Sequence, residues 1–196
     1  RGEMAYREEL KNRINEFIES QTGNICVSLF DLKEQDGFSI DGDRRVPSAS
    51  MIKLVIMAEL MRRVCAGELS LEEKIKITQE MRTGGDGVLK ELEPGHEFSL
   101  REILTLMIIV SDNEATNILI QMLGMDRINR MAAELGLKEA VLGRKMMDSE
   151  AKKQGRDNFI CADDIMLILK KIYEGSCVDR KASALMLDIL KRQQQS

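Results

Sequence analysis

A long apolar segment that follows a turn at Val46-Pro47 most constrains how this chain can fold. Between residues 51 and 65 the only charged residues are Lys53, Glu59, Arg62 and Arg63. A helix that is apolar on nearly all sides is normally buried inside a domain. The segment therefore predicts a central, buried helix with Ser50 at its head.

Ser50 and Lys53 lie three residues apart, which places both on one face of that helix. Burial disfavours the charged form of a lysine, so its pKa falls and the neutral amine can act as a base. A serine hydroxyl becomes a nucleophile when an adjacent base takes its proton. The same spacing recurs at Ser149 and Lys152, but that segment is polar and is interpreted as a solvated loop.

The rest of the pattern is typical of a helix-rich α+β chain. Helical periodicity occurs at residues 6–20, 100–110, 115–122, 127–135, 160–173 and 179–192, and one hairpin is predicted from 25–32 with a return at 38–41. Ser70 with Glu73 and Ser99 with Glu102 have the spacing of capping boxes. Asp126 is the predicted cap of the helix over 127–135.

The composition and charge of the chain argue against several classes of binding partner. A net charge of −4 and the lack of a basic stripe argue against nucleic acid. The longest uncharged apolar segment, residues 103–110, is too short to span a membrane. His96 stands alone in a polar loop, so neither a metal nor a cofactor is indicated. No C-x-x-C spacing occurs, and buried free thiols are predicted for Cys26, Cys65, Cys161 and Cys177.

A second polar motif, Ser111-Asp112-Asn113, interrupts the apolar helix that precedes it. Buried polar groups need hydrogen-bond partners, and an active-site cleft is one place that supplies them. The other interpretation is the end of one helix followed by the N-cap of the next, since Asp and Asn are good caps. The motif alone leaves these two interpretations about equally open.

Ser50-Met-Ile-Lys53 followed by Ser111-Asp112-Asn113 resembles the class A β-lactamases and the related penicillin-binding proteins. The resemblance implies an all-α subdomain at residues 47–196 that carries both motifs and an omega-like loop. Residues 1–46 would form the N-terminal part of an α/β subdomain whose antiparallel sheet is incomplete in this chain. Arg144 and Asp157 would pair across the neck of the loop, which lies within residues 143–158.

The resemblance also implies the role of each site residue. Ser50 would be acylated by a β-lactam or an acyl-D-Ala substrate, with Lys53 as proton acceptor. Its backbone N–H would form half of the oxyanion hole. Ser111 would pass a proton to the departing nitrogen, and Asn113 would bind the substrate's side-chain amide.

Two family features are missing from the sequence. The E-x-x-L-N that supplies the deacylating glutamate is absent, so Glu150 is the nearest candidate, followed by Asp148. Slow deacylation is therefore predicted. K-[ST]-G is also absent, so we expect a fragment whose hairpin edge pairs with a C-terminal fragment or a second copy.

The resemblance thus implies a serine hydrolase that opens β-lactam rings. The alternatives are a penicillin-binding or sensing protein with slow or no turnover, and an esterase or peptidase of the same fold. Family members are usually exported, but the sequence shows no signal peptide, so the compartment stays open.

Overall fold

The computed structural model of the chain describes residues 2–194, apart from the side chain of Glu3. The two predicted subdomains include Arg1, Gln195 and Ser196, which lie outside the described residues. Its α-helices are α1 (Gly2–Glu19), α2 (Lys53–Cys65), α3 (Leu100–Ile109), α4 (Asn113–Leu123), α5 (Met125–Glu134), α6 (Ser149–Lys153), α7 (Ala162–Glu174) and α8 (Arg180–Lys191). Its strands are β1 (Val27–Asp31), β2 (Asp36–Ile40), β3 (Val46–Pro47), β4 (Lys74–Lys76), β5 (Glu97–Ser99) and β6 (Phe159–Ile160).

Helix α2 is the centre of the helical part, as its composition predicts. Every residue from Lys53 to Met61 is buried. Each large aliphatic side chain withdrawn from water in this way contributes about 1.5–3 kcal/mol of stabilisation. The buried carboxylate of Glu59 accepts hydrogen bonds from Nε and Nη2 of Arg62, both at 2.8 Å, so its charge is compensated.

Helices α3, α4, α5 and α8 pack around α2. The predicted capping box begins α3: Ser99 Oγ accepts from the N–H of Glu102 at 3.1 Å, and Glu102 Oε1 accepts from the N–H of Ser99 at 2.9 Å. Asp112 is the N-cap of α4, which follows α3 after a very short connection. That connection brings the Ser111-Asp112-Asn113 motif against the first turn of α2.

Over residues 2–194 the strands form three separate antiparallel pairs, whereas the sequence predicts a single hairpin. The hairpin is β1 with β2, in which Val27 lies opposite Ile40. Strand β3 pairs with β6, and β4 pairs with β5. These additional strands are two or three residues long and their partners are distant in sequence, so neither alternation nor a tight turn identifies them.

Two predicted caps are wrong. Ser70 Oγ accepts from the N–H of Glu72 at 3.2 Å in a turn, and the chain then enters β4, because pairing with β5 outweighs the local helical preference. Asp126 caps no helix. Helix α5 begins one residue before it, since Gly124, with a φ of +84°, both ends α4 and precedes α5.

The long predicted loop at 143–158 contains one helical segment, α6. Its N-cap is Asp148, whose Oδ1 accepts from the N–H of Ala151 at 3.0 Å. Ser149 and Lys152 are exposed, as expected for a solvated segment, although they lie on this helix.

The cysteines are free thiols, but they are not all buried. Burial raises the pKa of Cys161 and of Cys177 to about 11. Cys26 is half-buried and Cys65 is exposed, so the prediction is wrong for Cys65, which ends α2 where that helix leaves the core.

No helix within residues 2–194 is long and apolar enough to cross a membrane. Over the same residues, no group of three or more His, Cys, Asp and Glu side chains is arranged to hold a metal ion.

Candidate active site

Ser50 lies in a helical turn, Ala49–Ile52, that leads directly into α2. Just before it, the N–H of Ser48 donates to the carbonyl of Asn158 at 2.8 Å and so fixes the chain. Ala49 has a left-handed φ of +45°, which is uncommon for a residue with a Cβ. Ser50 is exposed and lines a cleft, so its hydroxyl is open to a substrate.

Lys53 is only 3% exposed, and its amine lies among hydroxyl and carbonyl oxygens. Nζ donates to Oγ of Ser111 at 2.8 Å and to its carbonyl at 3.0 Å, and it lies 3.5 Å from Ser50 Oγ. Burial lowers the pKa of Lys53 to about 8, although the charges of Asp86 and Asp112 act to raise it. At pH 7 about one Lys53 side chain in ten is then neutral and can accept a proton.

Ser111 connects the hydroxyl of Ser50 to the amine of Lys53. The Oγ atoms of Ser50 and Ser111 are 2.7 Å apart, and either can be the donor. Ser111 also has a left-handed φ, of +55°. A proton can therefore move from Ser50 to Lys53 through Ser111 across two short hydrogen bonds.

Asp112 acts as a cap, as one interpretation of its motif proposes. Its Oδ1 accepts from the N–H of Ala115 at 2.9 Å at the start of α4. Its Oδ2 accepts from the N–H groups of Val88 and Leu89, at 2.7 and 3.0 Å. A Cβ at Gly87, whose φ is +123°, would lie 2.4 Å from that oxygen. The aspartate thus ties the glycine-rich loop at 83–87 against the site.

Asn113 is half-buried and lines the cleft. Its Oδ1 lies 3.4 Å from Nζ of Lys53, and its N–H donates to the carbonyl of Asp86 at 3.0 Å. Both interpretations of Ser111-Asp112-Asn113 therefore hold together, because Asp112 caps α4 while Asn113 lines the cleft and Ser111 bonds to Ser50.

The cleft has a volume of about 350 Å³, enough for a small ligand. Its lining residues are Pro47, Ser48, Ala49, Ser50, Lys53, Asn113, Arg144, Met146, Met147, Lys152, Asp157 and Asn158. Ten of these come from the loop at 143–158 or from the strand β3 and the turn before α2, which the β3–β6 pair holds side by side.

Arg144 and Asp157 meet at the neck of the loop, where Nε of Arg144 donates to Oδ1 of Asp157 at 2.7 Å. Burial acts to raise the pKa of Asp157, but the hydrogen bonds from Arg144 and from the N–H of Asn158, together with nearby positive charge, outweigh it, so that pKa lies below its usual value. Asn158 Oδ1 also accepts from the N–H groups of Gly143 and Arg144, at 2.9 and 3.0 Å. A Cβ at Gly143 would lie 2.3 Å from the Asp157 carbonyl, so the neck requires glycine.

Asn117 holds the part of the loop that faces the cleft, although neither sequence motif includes it. Its Oδ1 accepts from the N–H of Met146 at 2.7 Å, and its Nδ2 donates to the Met146 carbonyl at 3.0 Å. Asn113 and Asn117 are four residues apart on α4, so they share one face. That spacing is the signal that could have identified Asn117.

The profile of the β-lactamase enzyme family matches residues 9–196 of this chain. The chain belongs to that family. Among curated relatives, β-lactamase VEB-1 of Pseudomonas aeruginosa is 29% identical over 122 residues, which cover 61% of this chain and 41% of VEB-1. The D-alanyl-D-alanine carboxypeptidase DacF of Bacillus subtilis is 27% identical over 128 residues, which cover 62% of this chain and 30% of DacF. The chain spans less than half the length of these two relatives.

Solved structures of the family share the fold. A β-lactamase from Sphaerobacter thermophilus is 33% identical, with a TM-score of 0.79 over 87% of this chain and 62% of that one. PBP-A is 25% identical, with a TM-score of 0.85 over 95% of this chain and 69% of PBP-A. The predicted helix-rich α+β fold of this family is therefore confirmed.

The loop glutamate of the family has no counterpart in this cleft among the described residues. Glu150 is exposed on α6, where its Oε1 accepts from Nε2 of Gln154 at 3.3 Å, and it does not line the cleft. The structure therefore does not bring Glu150 to Ser50, because α6 turns it to solvent, and its catalytic role stays a prediction. Asp148 caps the same helix, and the loop instead presents Met146, Met147 and Lys152.

Proposed function

We propose that this chain reacts with β-lactams, and with acyl-D-Ala compounds, by forming an acyl-enzyme on Ser50. The observation that carries the proposal is the short path from Ser50 Oγ through Ser111 Oγ to the buried amine of Lys53, at 2.7 and 2.8 Å. Acyl transfer requires a nucleophile within hydrogen-bond reach of a base, and a third group that fixes the position of that base.

The reaction follows from these contacts. Neutral Lys53 takes the proton of Ser50 by way of Ser111, and Ser50 Oγ bonds to the substrate carbonyl. The carbon–nitrogen bond then breaks, and Ser111 donates a proton to the departing nitrogen while it regains one from Lys53. The products are an ester on Ser50 and a free amine, so protons and electrons balance.

The relatives support both substrate classes. VEB-1 is a β-lactamase and DacF is a D-alanyl-D-alanine carboxypeptidase. A mutant of PBP-A has been solved as an acyl-enzyme complex with penicillin G. In each substrate an acyl carbonyl joined to nitrogen would meet Ser50. An esterase or peptidase of the same fold would use the same three residues on a different acyl group.

A second candidate function, a penicillin-binding protein with slow turnover, is favoured by the cleft lining. Release of the acyl group needs a base that activates water. Of the residues that line the cleft, only Asp157 carries a carboxylate, and Arg144 already holds it at 2.7 Å. We therefore expect the acyl group to remain on Ser50 for longer than it takes to form.

Intact-mass spectrometry after incubation with benzylpenicillin tests the proposal. We expect a mass increase of one penicillin molecule in the native chain and in Ser149→Ala, the matched serine of the second S-x-x-K. Ser50→Ala should gain no mass. An adduct that forms equally well in Ser50→Ala would refute the assignment.

A further inference from the structure

We infer that Lys152 makes the cleft selective for acyl groups that carry a carboxylate. The inference rests on the acyl-enzyme chemistry proposed above for its substrate class, and on the lining of the cleft for the binding preference itself. Lys152 would contact the substrate but would take no part in the proton transfers.

Lys152 is the free cation of the cleft wall. It lies on α6 and lines the same cleft as Ser50 and Asn113. Within residues 2–194 its ammonium forms no ion pair, and its charge is the smallest of the contributions that lower the pKa of Asp157. Asp157 is occupied by Arg144 at 2.7 Å.

The other charges of the cleft leave it positive. Its lining contains three basic side chains and one carboxylate. Arg144 is neutralised by its partner, and Lys53 is buried beneath Ser50 and bonded to Ser111. Asp86 acts on Lys53 but is not among the lining residues. Lys152 is therefore the cation that remains available to a bound molecule.

The neighbours of Lys152 define the rest of the ligand. Met146 and Met147 form the apolar part of the same wall, and methionine adapts its shape to varied apolar groups. The cleft that holds Ser50 and this wall has a volume of only about 350 Å³, so a substituent on a substrate whose carbonyl lies at Ser50 would contact the wall. The matching substituent has an aromatic or aliphatic part next to a carboxylate.

Three penicillins of one skeleton test the effect on acylation. Benzylpenicillin, carbenicillin and ampicillin share the β-lactam carbonyl that Ser50 attacks and differ at the carbon next to the side-chain amide carbonyl, which bears hydrogen, a carboxylate or an ammonium group. The second-order rate of adduct formation on Ser50 is measured for each. An exposed ion pair changes such a rate by about two- to five-fold, so we expect carbenicillin to exceed ampicillin by about that factor or more.

Variants of the adjacent residues Lys152 and Lys153 show which lysine causes the preference for carbenicillin over ampicillin. Lys152→Gln should remove it and Lys152→Glu should reverse it. Lys153→Gln should retain it, because Lys153 is also an exposed lysine on α6 but does not line the cleft. A preference that survives in Lys152→Gln, or that disappears in Lys153→Gln, would overturn the inference.

A binding measurement separates this inference from the proposed function. In protein labelled with ¹³C at the methionine methyl groups, the signals of Met146 and Met147 report occupation of the cleft and are assigned with Met146→Leu and Met147→Leu. We expect phenylmalonate monoamide to bind about two- to five-fold more tightly than the uncharged 2-phenylacetamide, and Lys152→Gln to remove the difference. Equal affinities in the native chain would refute the role of Lys152.

The two experiments fail in different ways. If no penicillin acylates Ser50 but the preference for phenylmalonate monoamide is present and depends on Lys152, the proposed function is wrong and the inference stands. If acylation occurs at equal rates for all three penicillins, the inference is wrong and the proposed function stands.

Discussion

Lys53 occupies a core position on α2 and is also the residue that accepts the proton of Ser50. Burial of its side chain lowers its pKa from 10.5 to about 8. The fold therefore loses stability at the residue that the chemistry needs. Both consequences of this conflict can be measured.

The acylation rate should rise with pH and level off above an apparent pKa of about 8, because only neutral Lys53 accepts a proton. The measurement is the second-order rate of adduct formation with benzylpenicillin between pH 6 and about 9.5. Lys53→Met should lower the rate by orders of magnitude and remove this dependence. A rate that is flat over the whole range would contradict the assignment of Lys53 as the base.

Lys53→Met should be at least as stable as the native chain at pH 7. A pKa lowered from 10.5 to about 8 costs the native fold about 3 kcal/mol where Lys53 is protonated, part of which is offset by its hydrogen bonds. Between those values the unfolded chain binds more protons than the folded chain, so native stability rises with pH. The advantage of Lys53→Met should therefore shrink from pH 8 towards 10.5.

Chemical denaturation at pH 7 and pH 10 measures that advantage. Lys76→Met serves as the matched control, because Lys76 is exposed on β4. Its stability should stay within about 0.5 kcal/mol of the native value at both pH values. If Lys53→Met unfolds while acylation continues, both predictions for Lys53 are wrong.

Hydrolysis of nitrocefin should be slow and should not depend on Glu150. The carboxylate of Glu150 bonds to Gln154 on the exposed side of α6 and does not line the cleft. Glu150→Gln is therefore expected to leave steady-state turnover unchanged within two-fold. Rapid turnover in the native chain that is lost in Glu150→Gln would show that the loop rearranges to bring Glu150 to the acyl group.

At the level of elements, two asparagines clamp the two ends of one segment. Asn117 bonds both backbone groups of Met146, and Asn129 bonds both backbone groups of Leu142. Each alanine variant leaves a backbone donor and acceptor without a partner, which costs about 1–3 kcal/mol. Only Met146 lines the cleft.

We expect Asn117→Ala and Asn129→Ala to lose similar stability, but only Asn117→Ala should also slow acylation of Ser50. Denaturation curves and adduct-formation rates measured on both variants give the comparison. Equal loss of acylation in the two variants would mean that the whole loop, and not its cleft-facing part, controls the reaction.

The sequence predicts the elements whose cause is local. The apolar face of α2, the capping box at Ser99 and the glycine that ends α4 are read directly from adjacent residues. The β4–β5 pair and the start of α5 are not, because a distant strand and the conformation of Gly124 decide them. The position of Glu150 depends on α6, a turn too short for helical periodicity to reveal.

For the site, the two motifs predict which residues lie near Ser50, and the structure brings Lys53, Ser111 and Asn113 to it. They do not predict which loop side chains face the cleft. Met146 and Lys152 line it because Asn117 and the neck at Arg144 fix the path of the loop, and these are contacts between distant residues. The division of the chain at residues 46 and 47 stays a prediction.

At the level of the whole molecule, the weakest point of the fold is the β1–β2 hairpin. Among the described residues, β1 pairs with β2 alone, and an apolar groove of about 330 Å³ lies beside it. Phe30, Leu169 and Tyr173 line this groove, and Leu169 is 39% exposed. An open strand edge next to an apolar groove favours pairing with another chain.

The purified chain should therefore self-associate as its concentration rises, which sedimentation velocity measures. Leu169→Glu should weaken the association by placing a charge in the groove. Leu92→Glu is the matched control, because Leu92 is 41% exposed but lies outside the groove. A monomer at every concentration, with a cooperative melting transition, would refute this prediction.

Among residues 2–194, three of the six non-glycine residues with a left-handed φ lie at the reactive site: Ala49 and Met147 line the cleft, and Ser111 bonds to Ser50. Each such conformation costs of the order of 1–3 kcal/mol and persists only while the surrounding packing enforces it. The packing of the helical core therefore offsets the conformational cost of the backbone at the reactive site. Destabilising mutations anywhere in the molecule should therefore lower the acylation rate of Ser50 before they unfold the chain. The cleft is the part of the structure that tolerates such mutations least.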